Sequence, residues 1–253
     1  MKANWNVAKY ADYLVSWLEK QRIENYNANG YTIGISGGID SAVVACLLAK
    51  TGARVQGIAL PSANTPAIDI EQSQELAESI NCPLLISPIT DIYDTFIKSM
   101  QPLFNDQAER QNVISGNVQA RLRMIALYAH AQSHNHIVVG TDNAAEWHMG
   151  YFTKFGDGGA DILPLVHLTK AQVYDLARYL NVPQSIINKA PSAGLWVGQT
   201  DEDEMGVTYA EIDAYLQGET VSEKALERIN FWHNRSHHKR ELAAVPEKVT
   251  VFS

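Results

Sequence analysis

Residues 31–41 read Tyr-Thr-Ile-Gly-Ile-Ser-Gly-Gly-Ile-Asp-Ser, and this stretch decides the fold class. Its first half, residues 31–35, is short and rich in β-branched and aromatic residues, which predicts a strand. The pair Gly37-Gly38 breaks that strand, and the run at 40–50 predicts a helix. A strand, a tight glycine turn and a helix in this order are typical of one unit of an α/β fold.

The same alternation of short apolar runs and helical periodicity continues on both sides of this unit. It predicts an opening helix at about 4–24 and strands at 54–60, 84–86 and 137–139. Further helices are predicted from the Thr65-Pro66 cap to Ile80, at 117–132 and from the Thr169 cap to Leu180. Two C-terminal helices are predicted at 209–216 and 222–234. Residues 153–164 lack periodicity and are expected to form a mobile surface loop. The order predicts a doubly wound, mostly parallel sheet in one domain of residues 1–253, with helical extensions at about 1–25 and 205–253.

The composition restricts the partners of the chain. Of its 253 residues, 46% are hydrophobic, which is enough for a sizeable core. The net charge of −8 makes nucleic acid a poor partner, because a negatively charged surface repels phosphate backbones. No apolar stretch reaches the roughly 18 residues of a membrane helix, so we expect no membrane partner and a cytoplasmic location. Cys46 and Cys82 are too few for a disulfide framework or a zinc cluster and are expected to be structural.

The turn after the first strand carries groups that suit a phosphate. Gly37 and Gly38 let backbone N–H groups approach an anion with no Cβ in the way. Ser36 and Ser41 add hydroxyl donors, and the helix that follows offers unpaired N–H groups with a partial positive charge. A carboxylate at Asp40 suits such a site when a divalent cation, usually Mg²⁺, lies between it and the phosphate. A glycine turn with a serine cap and no ligand is the structural alternative.

This turn lacks the Gly-Lys-Ser/Thr of a Walker loop and the Gly-x-Gly-x-x-Gly of a dinucleotide site. Its Ser-Gly-Gly-x-Asp-Ser pattern resembles the loop of the N-type ATP pyrophosphatases, which cleave ATP to AMP and pyrophosphate on an adenine nucleotide α-hydrolase-like fold. Further motifs are GNVQARLRM at 116–124, VGTDNAAE at 139–146, GYFTKFGDGGAD at 150–161 and KAPSAGL at 189–195. In this order and spacing, over about residues 31–240, the chain resembles the ammonia-dependent NAD synthetases.

The resemblance implies an ATP site with a magnesium ion. The residues that it assigns to ATP are Gly34, Ile35, Ser36, Gly37, Gly38, Ile39, Asp40, Ser41, Thr141, Lys170 and Ser192. It makes Asp40 and Glu146 the ligands of Mg²⁺, and two carboxylates suit a reaction in which both pyrophosphate and the acyl-adenylate carry charge. Without the resemblance, Glu146 would be interpreted as a solvated helix residue.

The resemblance also implies a site for a second substrate, nicotinic acid adenine dinucleotide (deamido-NAD). It assigns Arg121, Lys154, Asp161, His238 and Lys239 to this substrate. Lys154 would reach the reacting carboxylate when its loop closes, and Asp157 would position ammonia or receive a proton. Alternatives stay open: Arg121 and Arg123 point about 200° apart on one helix, so one could be a surface residue. Lys154 could be merely solvated, and residues 237–240 could be only a basic tail.

The activity that the resemblance implies is amidation of deamido-NAD with ammonia and ATP, giving NAD, AMP and pyrophosphate through an acyl-adenylate. Glutamine-using members carry a fused amidase domain with a cysteine nucleophile, and neither cysteine here has that setting, so ammonia is the expected donor. A homodimer is also implied, with a second apolar face of the first helix, Tyr10, Tyr13 and Trp17, as support.

Two other functions remain open at this point. Another amidating or thiolating enzyme could use the same loop, although thiolation needs catalytic cysteines and a tRNA substrate suits the negative charge poorly. A nucleotide-sensing module without catalysis is the second, but a sensor has no need for both Asp40 and Glu146.

Overall fold

The computed structural model describes residues 5–104, 111–189 and 200–247. Within these ranges, four parallel strands form one sheet: β1 (Gly30–Gly34), β2 (Arg54–Ala59), β3 (Leu84–Ile86) and β4 (His136–Val139). Their order across the sheet is β3-β2-β1-β4. The chain moves outward from β1 to β3 and then returns to the other side of β1. The carboxyl ends of β1 and β4 therefore form the switch point, where ligands of such sheets bind.

Helices cover both faces of this sheet. They are α1 (Val7–Lys20), α2 (Ile39–Lys50), α3 (Ala67–Ser79), α4 (Thr90–Met100), α5 (Gln111–His134), α6 (Ala144–Met149), α7 (Lys170–Tyr179), α8 (Gln184–Ile187), α9 (Asp201–Met205), α10 (Tyr209–Leu216) and α11 (Glu223–Arg235). Helices α1, α2 and α7 contact one another, α2 packs on β1 and β2, and α5 packs on β1 and β4. The predicted doubly wound α/β class is confirmed. No helix in the described ranges has the length and apolar character needed to cross a membrane.

The main core lies between the sheet and α2. Tyr31 and Ile33 of β1 are fully buried, as are Leu47 and Leu48 of α2. Helix α2 is almost entirely enclosed: the residues from Ile39 to Leu48 are buried except for Asp40. A helix that is apolar on all sides belongs in the interior of a protein. Because α2 is fixed in this way, the turn that precedes it is fixed as well.

The C-terminal helices have a second, smaller core. Met205, Ile212 and Ile229 pack there with Ala145 and Met149 of α6. Since α6 shares this core, α9, α10 and α11 hold in place the helix that carries Glu146.

The strands and most helices begin and end within a residue or two of the predicted positions, and the Thr169 capping box is confirmed. Helices α4, α8 and α9 were missed, α6 was given no bounds, and α5 begins earlier than predicted, at Gln111. The predicted Thr65 cap of α3 is wrong: the Thr65 hydroxyl accepts the N–H of Ser62 at 2.9 Å, and Pro66 takes the cap position without a side-chain bond.

The segment at 153–164, predicted as a surface loop, is partly buried instead. Thr153 is 6% exposed, and Ile162 forms a bridge with Val139 at the end of β4. The backbone N–H of Asp161 also donates to the carbonyl of Val138 at 3.0 Å. Side-chain periodicity could not predict this, because the segment is attached to the sheet by backbone contacts.

The two cysteines should be unreactive in the folded protein. Both Cys46 and Cys82 are buried and free, and burial raises the pKa of the Cys46 thiol to about 12. Because the thiolate is the reactive species, we expect no labelling by a thiol reagent at pH 8 and two labelled thiols after unfolding in denaturant. Rapid labelling of either residue in the native protein would contradict this burial.

Candidate active site

The turn between β1 and α2 is ordered by its own serines. The Ser41 hydroxyl donates to the carbonyl of Gly38 at 2.9 Å and accepts the backbone N–H of Ser36 at 3.3 Å. The Ser36 hydroxyl accepts the N–H of Gly38 at 3.2 Å. Gly37 has a φ of 75°, a left-handed conformation that favours glycine. The predicted phosphate-binding turn is therefore preformed at the switch point, next to the N-terminus of α2.

Three charged side chains meet beside this turn. The Lys170 Nζ lies 2.6 Å from Asp40 Oδ2 and 3.4 Å from Glu146 Oε1, and the three side chains are 5%, 16% and 15% exposed. Burial alone would lower the pKa of Lys170, but the charges of Asp40 and Glu146 outweigh it and raise that pKa. One lysine from the start of α7 thus bridges carboxylates from α2 and α6.

The two carboxylates leave this cluster with excess negative charge. Burial, followed by the charge of Asp40, raises the pKa of Glu146 to about 7, although Lys170 acts in the opposite direction. A buried carboxylate without full compensation is costly, and a bound cation would remove that cost. In the described residues, no group of three or more His, Cys, Asp or Glu side chains is arranged to hold a metal ion. A cation here would therefore take its remaining ligands from a bound phosphate and water.

Asn143 connects the two carboxylates. Its Nδ2 donates to Asp40 Oδ1 at 2.9 Å, while its Oδ1 accepts the N–H of Ala145 and of Glu146. The Glu146 carboxylate in turn accepts the N–H of Asn143 at 3.1 Å, which completes a capping box at the start of α6. Sequence reasoning missed Asn143, although the Asn-x-x-Glu pattern at 143–146 was the signal.

Tyr209 supports the same cluster from α10. Its hydroxyl donates to Asp201 Oδ2 at 2.9 Å and lies 3.3 Å from Glu146 Oε1. The Lys170 Nζ lies 4.7 Å from the centre of the Tyr209 ring, a cation–π distance. The pKa of Tyr209 is raised by burial and by the nearby charge of Glu146. No local motif marks Tyr209, because it meets the cluster only through the packing of the C-terminal helices.

Asp142 is a further buried carboxyl group that sequence reasoning did not select. It follows Thr141 at the end of β4 and is 5% exposed, and its Oδ2 has no hydrogen-bond partner in the described part of the chain. Burial, followed by the charges of Asp157, Glu146 and Asp40, raises its pKa well above the usual value. Thr141, assigned to ATP by the resemblance, is half-buried beside it at the switch point.

Four residues assigned to the second substrate lie close together. They are Arg121, Lys154, His238 and Lys239. The Lys154 Nζ donates to the carbonyls of His238 and Glu241, the latter at 2.8 Å, and Arg121 donates to the carbonyl of Lys154 at 3.2 Å. Lys154 is thus neither merely solvated nor free: its ammonium group holds the C-terminal segment.

Lys239 makes the reciprocal contact. Its Nζ donates to the carbonyls of Gly150 and Phe152 at 2.8 and 2.6 Å. The segment at 237–240 is therefore not a free basic tail, because it is bonded to the residues that precede Lys154. Asp157 lies in the same loop, where its Oδ1 accepts the N–H of Thr153 at 2.9 Å.

Asp161 lies apart from the other residues assigned to the second substrate. Its Oδ2 accepts the N–H of Val138 at 2.8 Å, and its Oδ1 accepts the Tyr128 hydroxyl at 3.1 Å. These bonds attach the chain to the edge of β4. The last residue assigned to ATP, Ser192, lies outside the described residues.

The two arginines of α5 have different surroundings, as their spacing predicted. Arg121 is exposed beside Lys154, whereas Arg123 donates its Nε to the carbonyl of Leu60, just after β2, at 2.9 Å. Burial lowers the pKa of Arg123. Arg123 therefore faces the carboxyl edge of the sheet, and Arg121 faces the C-terminal segment.

Asp213 of α10 fixes the start of α7, and its removal should be costly. Its two carboxylate oxygens accept the N–H groups of Lys170 and Ala171 at 3.0 and 2.9 Å, and the residue is 6% exposed. We expect Asp213→Ala to lower the free energy of unfolding by about 2 kcal/mol, because it leaves buried N–H groups unpaired. Urea unfolding would measure this against Glu227→Ala, an exposed acidic residue on α11. Equal stability of the two variants would contradict the anchoring role.

A parallel sheet with a glycine-serine turn at its switch point is the architecture of an α/β nucleotide-binding protein. The family model for NAD synthase matches residues 10–243. The ammonia-dependent NAD+ synthetase of Mannheimia succiniciproducens is 60% identical over 240 residues, which are 95% of this chain and 96% of that protein. The chain belongs to the NAD synthase family.

Solved structures agree with this assignment. The NMN synthetase of Francisella tularensis has a TM-score of 0.93 and 57% identity, covering 97% of this chain and 100% of that one. The NH3-dependent NAD synthetase of Campylobacter jejuni has a TM-score of 0.78 and 27% identity, covering 96% and 100%. The predicted family and the predicted kind of enzyme, an ammonia-dependent synthetase that joins carbon to nitrogen, are confirmed.

Proposed function

We propose that this chain amidates deamido-NAD with ammonia at the expense of ATP, releasing NAD, AMP and pyrophosphate. The observation that carries the proposal is the contact of Asp40, Lys170 and Glu146 beside the serine-glycine turn, at the switch point of a NAD synthase sheet. This position combines donors for a triphosphate with buried carboxylates for a cation, which is what release of pyrophosphate requires.

The triphosphate of ATP would lie on the turn, with its charge facing the N-terminus of α2. The residues we assign to ATP are Gly34, Ile35, Ser36, Gly37, Gly38, Ile39, Asp40, Ser41, Thr141, Lys170 and Ser192. Lys170 would contribute positive charge as the bond between the α- and β-phosphates breaks, and its raised pKa supports a lysine that stays protonated.

Asp40 and Glu146 would hold Mg²⁺, and their surroundings fit it. Both are largely buried and both face one lysine, and burial together with the charge of Asp40 raises the pKa of Glu146, so a bound cation would stabilise the charged form of this carboxylate pair. Two protein carboxylates completed by phosphate oxygens and water are the usual ligands of this ion. When bound, it supplies positive charge at the departing pyrophosphate.

The acid substrate would lie against the second group of residues. We assign Arg121, Lys154, Asp161, His238 and Lys239 to it and keep Asp157 as the residue that positions ammonia or takes its proton. The carboxylate oxygen of the substrate would attack the α-phosphorus of ATP, and pyrophosphate would leave. Ammonia would then attack the carbonyl carbon, lose a proton and displace AMP. For this, Lys154 would exchange the carbonyls of His238 and Glu241 for the substrate as the loop closes.

A second acid substrate is supported by one comparison. The Francisella tularensis structure with a TM-score of 0.93 is that of an NMN synthetase. The same chemistry applied to nicotinic acid mononucleotide would give NMN, with the same ATP site and the same attack by ammonia. The two candidates differ only in whether the substrate carries an adenylate half.

One assay tests both candidates. The purified protein is incubated with ATP, Mg²⁺ and ammonium, and with either deamido-NAD or nicotinic acid mononucleotide, and the amide, AMP and pyrophosphate are measured. Equal amounts of amide, AMP and pyrophosphate are expected. A higher kcat/KM for the mononucleotide would replace the first candidate with the second. ADP and phosphate as products, or no amide from either acid, would refute the proposal.

We propose a homodimer that pairs through β3, α4 and α5. The support is a set of large apolar side chains left exposed on these elements, namely Leu85, Ile86, Ile92, Phe96, Val113 and Ile125. The face of α1 expected from sequence supports a dimer less, because Tyr10 and Trp17 pack against the main core and only Tyr13 is largely exposed. Sedimentation of Phe96→Asp, expected to be monomeric, would test the surface.

The remaining sequence-based expectations stay proposals. One synthetase domain is supported by the packing of the C-terminal helices on α6. The net charge of −8 supports the absence of a nucleic-acid partner, and a cytoplasmic location remains a prediction.

A further inference from the structure

The turn between β1 and α2 is held from behind by α3. The Ser73 hydroxyl of α3 donates to the carbonyl of Asp69 at 2.7 Å and lies 3.3 Å from the carbonyl oxygen of Ile35, in contact with the turn. A Cβ on Gly37 would lie 2.5 Å from the carbonyl oxygen of Asp69, so the turn packs directly on the backbone of α3. The Ser36 hydroxyl is instead bonded within the turn, to the Ser41 hydroxyl at 3.2 Å and to the N–H of Gly38 at 3.2 Å.

Lys189 adds a charged contact to this rear side. It follows α8, and its Nζ donates to the carbonyl of Gly37 at 2.9 Å. The same Nζ donates to Asp69 Oδ1 at 2.7 Å and to Gln72 Oε1 at 3.0 Å. An ammonium group has three donors, so all three are used within the protein. Gln72 in turn donates to the carbonyl of Ser185 at 2.9 Å, which fixes α8 to α3.

The position of Lys189 determines the direction of one peptide group. The carbonyl of Gly37 and the N–H of Gly38 belong to the same trans peptide and therefore point in opposite directions. Because Lys189 holds the carbonyl toward α3, the N–H points to the other side, where the Ser36 hydroxyl accepts it at 3.2 Å. If this peptide turned over, a carbonyl oxygen would replace an N–H donor where a phosphate is expected to bind.

We propose that Lys189 is a positioning residue for ATP, which keeps the peptide between Gly37 and Gly38 oriented so that an N–H group faces the phosphates. It acts through the turn and does not contact ATP, because its charge is already paired with Asp69. Lys170 and Lys189 thus have different roles: Lys170 lies on the side of the turn where ATP is expected to bind, and Lys189 lies on the side that packs on α3. This inference rests on the proposed function, since it requires that the turn binds ATP.

The test is Lys189→Met, which keeps the length of the side chain and removes its charge. The KM for ATP should rise about tenfold or more, the loss expected for a charge-assisted hydrogen bond. The KM for ammonium and for the acid substrate should stay within about twofold. Lys189→Arg, which can still donate to a carbonyl and a carboxylate, should recover most of the affinity for ATP. Lys224→Met, on an exposed lysine of α11, is the matched control and should change nothing.

A second measurement does not need ATP. Amide hydrogen exchange of residues 36–39 in the ligand-free protein should be faster in Lys189→Met than in the wild type or in Lys224→Met. A Lys189→Met protein with wild-type exchange and wild-type KM for ATP would overturn the inference, as would an equal rise in all three KM values. If Lys189→Met does not fold, Asp69→Asn replaces it in both measurements. For Asp69→Asn we expect a smaller rise in the KM for ATP and faster amide exchange than in the wild type. No change in either quantity would overturn the inference. A wild type that fails to use ATP would instead refute the proposed function.

Discussion

Asp40→Asn is expected to lower turnover by about a hundredfold to a thousandfold and to leave the protein folded. Asparagine keeps the shape of the side chain and can still contact Asn143, but it removes one of the two carboxylates assigned to Mg²⁺. Loss of a preorganised charge next to the departing group typically costs two to three orders of magnitude in rate. The rate of AMP and pyrophosphate formation at saturating ATP and Mg²⁺ measures the effect.

The stability of the Asp40→Asn protein should be close to that of the wild type. The cluster has two carboxylates around one lysine, so the substitution leaves Lys170 paired with Glu146 at 3.4 Å rather than unpaired. A buried charge is costly when it has no partner, and that situation does not arise here. Asp12→Asn, on the exposed side of α1, is the control for removal of a charge elsewhere. Near-normal turnover of Asp40→Asn would refute its role with the metal.

Gly37→Ala is expected to abolish most activity and to destabilise the protein by about 3 kcal/mol. Two costs combine: a left-handed φ of 75°, and a Cβ that would lie 2.5 Å from the carbonyl oxygen of Asp69. Backbone strain of this kind costs about 1–3 kcal/mol, and the close contact would move the turn away from α3. Activity should fall at least about a hundredfold, because the donors of the turn would no longer converge.

Gly52→Ala separates these two costs. Gly52 has nearly the same φ, 73°, but a Cβ there meets nothing within 4 Å. It should lose about 1 kcal/mol in unfolding free energy and keep full activity. Thermal unfolding and initial rates of both variants are the measurements. Equal losses of activity would mean that the contact with Asp69 is unimportant for the turn.

The fold was predictable because its signals are local. The strand at 31–35, the glycine pair and the helix at 40–50 follow one another along the chain, and each needs only its neighbours in sequence to be recognised. Helix α4 was missed although its sequence carries the local signal: Ile92 and Phe96 recur four residues apart, on one face of the helix, and both stay exposed in the described part of the chain.

The site was predictable only in part. Asp40, Glu146 and Lys170, which the resemblance assigned to ATP and its metal, lie in contact, while their roles stay predictions, and Asn143 had a capping-box signal. Lys189 begins the motif at 189–195, but nothing in that motif indicates its bond to a carbonyl 152 positions earlier in the chain. Tyr209 and Asp213 likewise act on residues of other helices. Contacts of this kind depend on how helices pack, and no pattern along the sequence encodes them directly.

The smaller core has a consequence for how the enzyme loses activity. Glu146 belongs to a helix whose apolar side packs with α9, α10 and α11, whereas Asp40 belongs to the large core around the sheet. Loosening of the C-terminal helices would withdraw one carboxylate from its partner while the strands stay paired. Given the proposed role of Glu146 at the metal, we expect mild heating or dilute urea to end catalysis before the sheet unfolds.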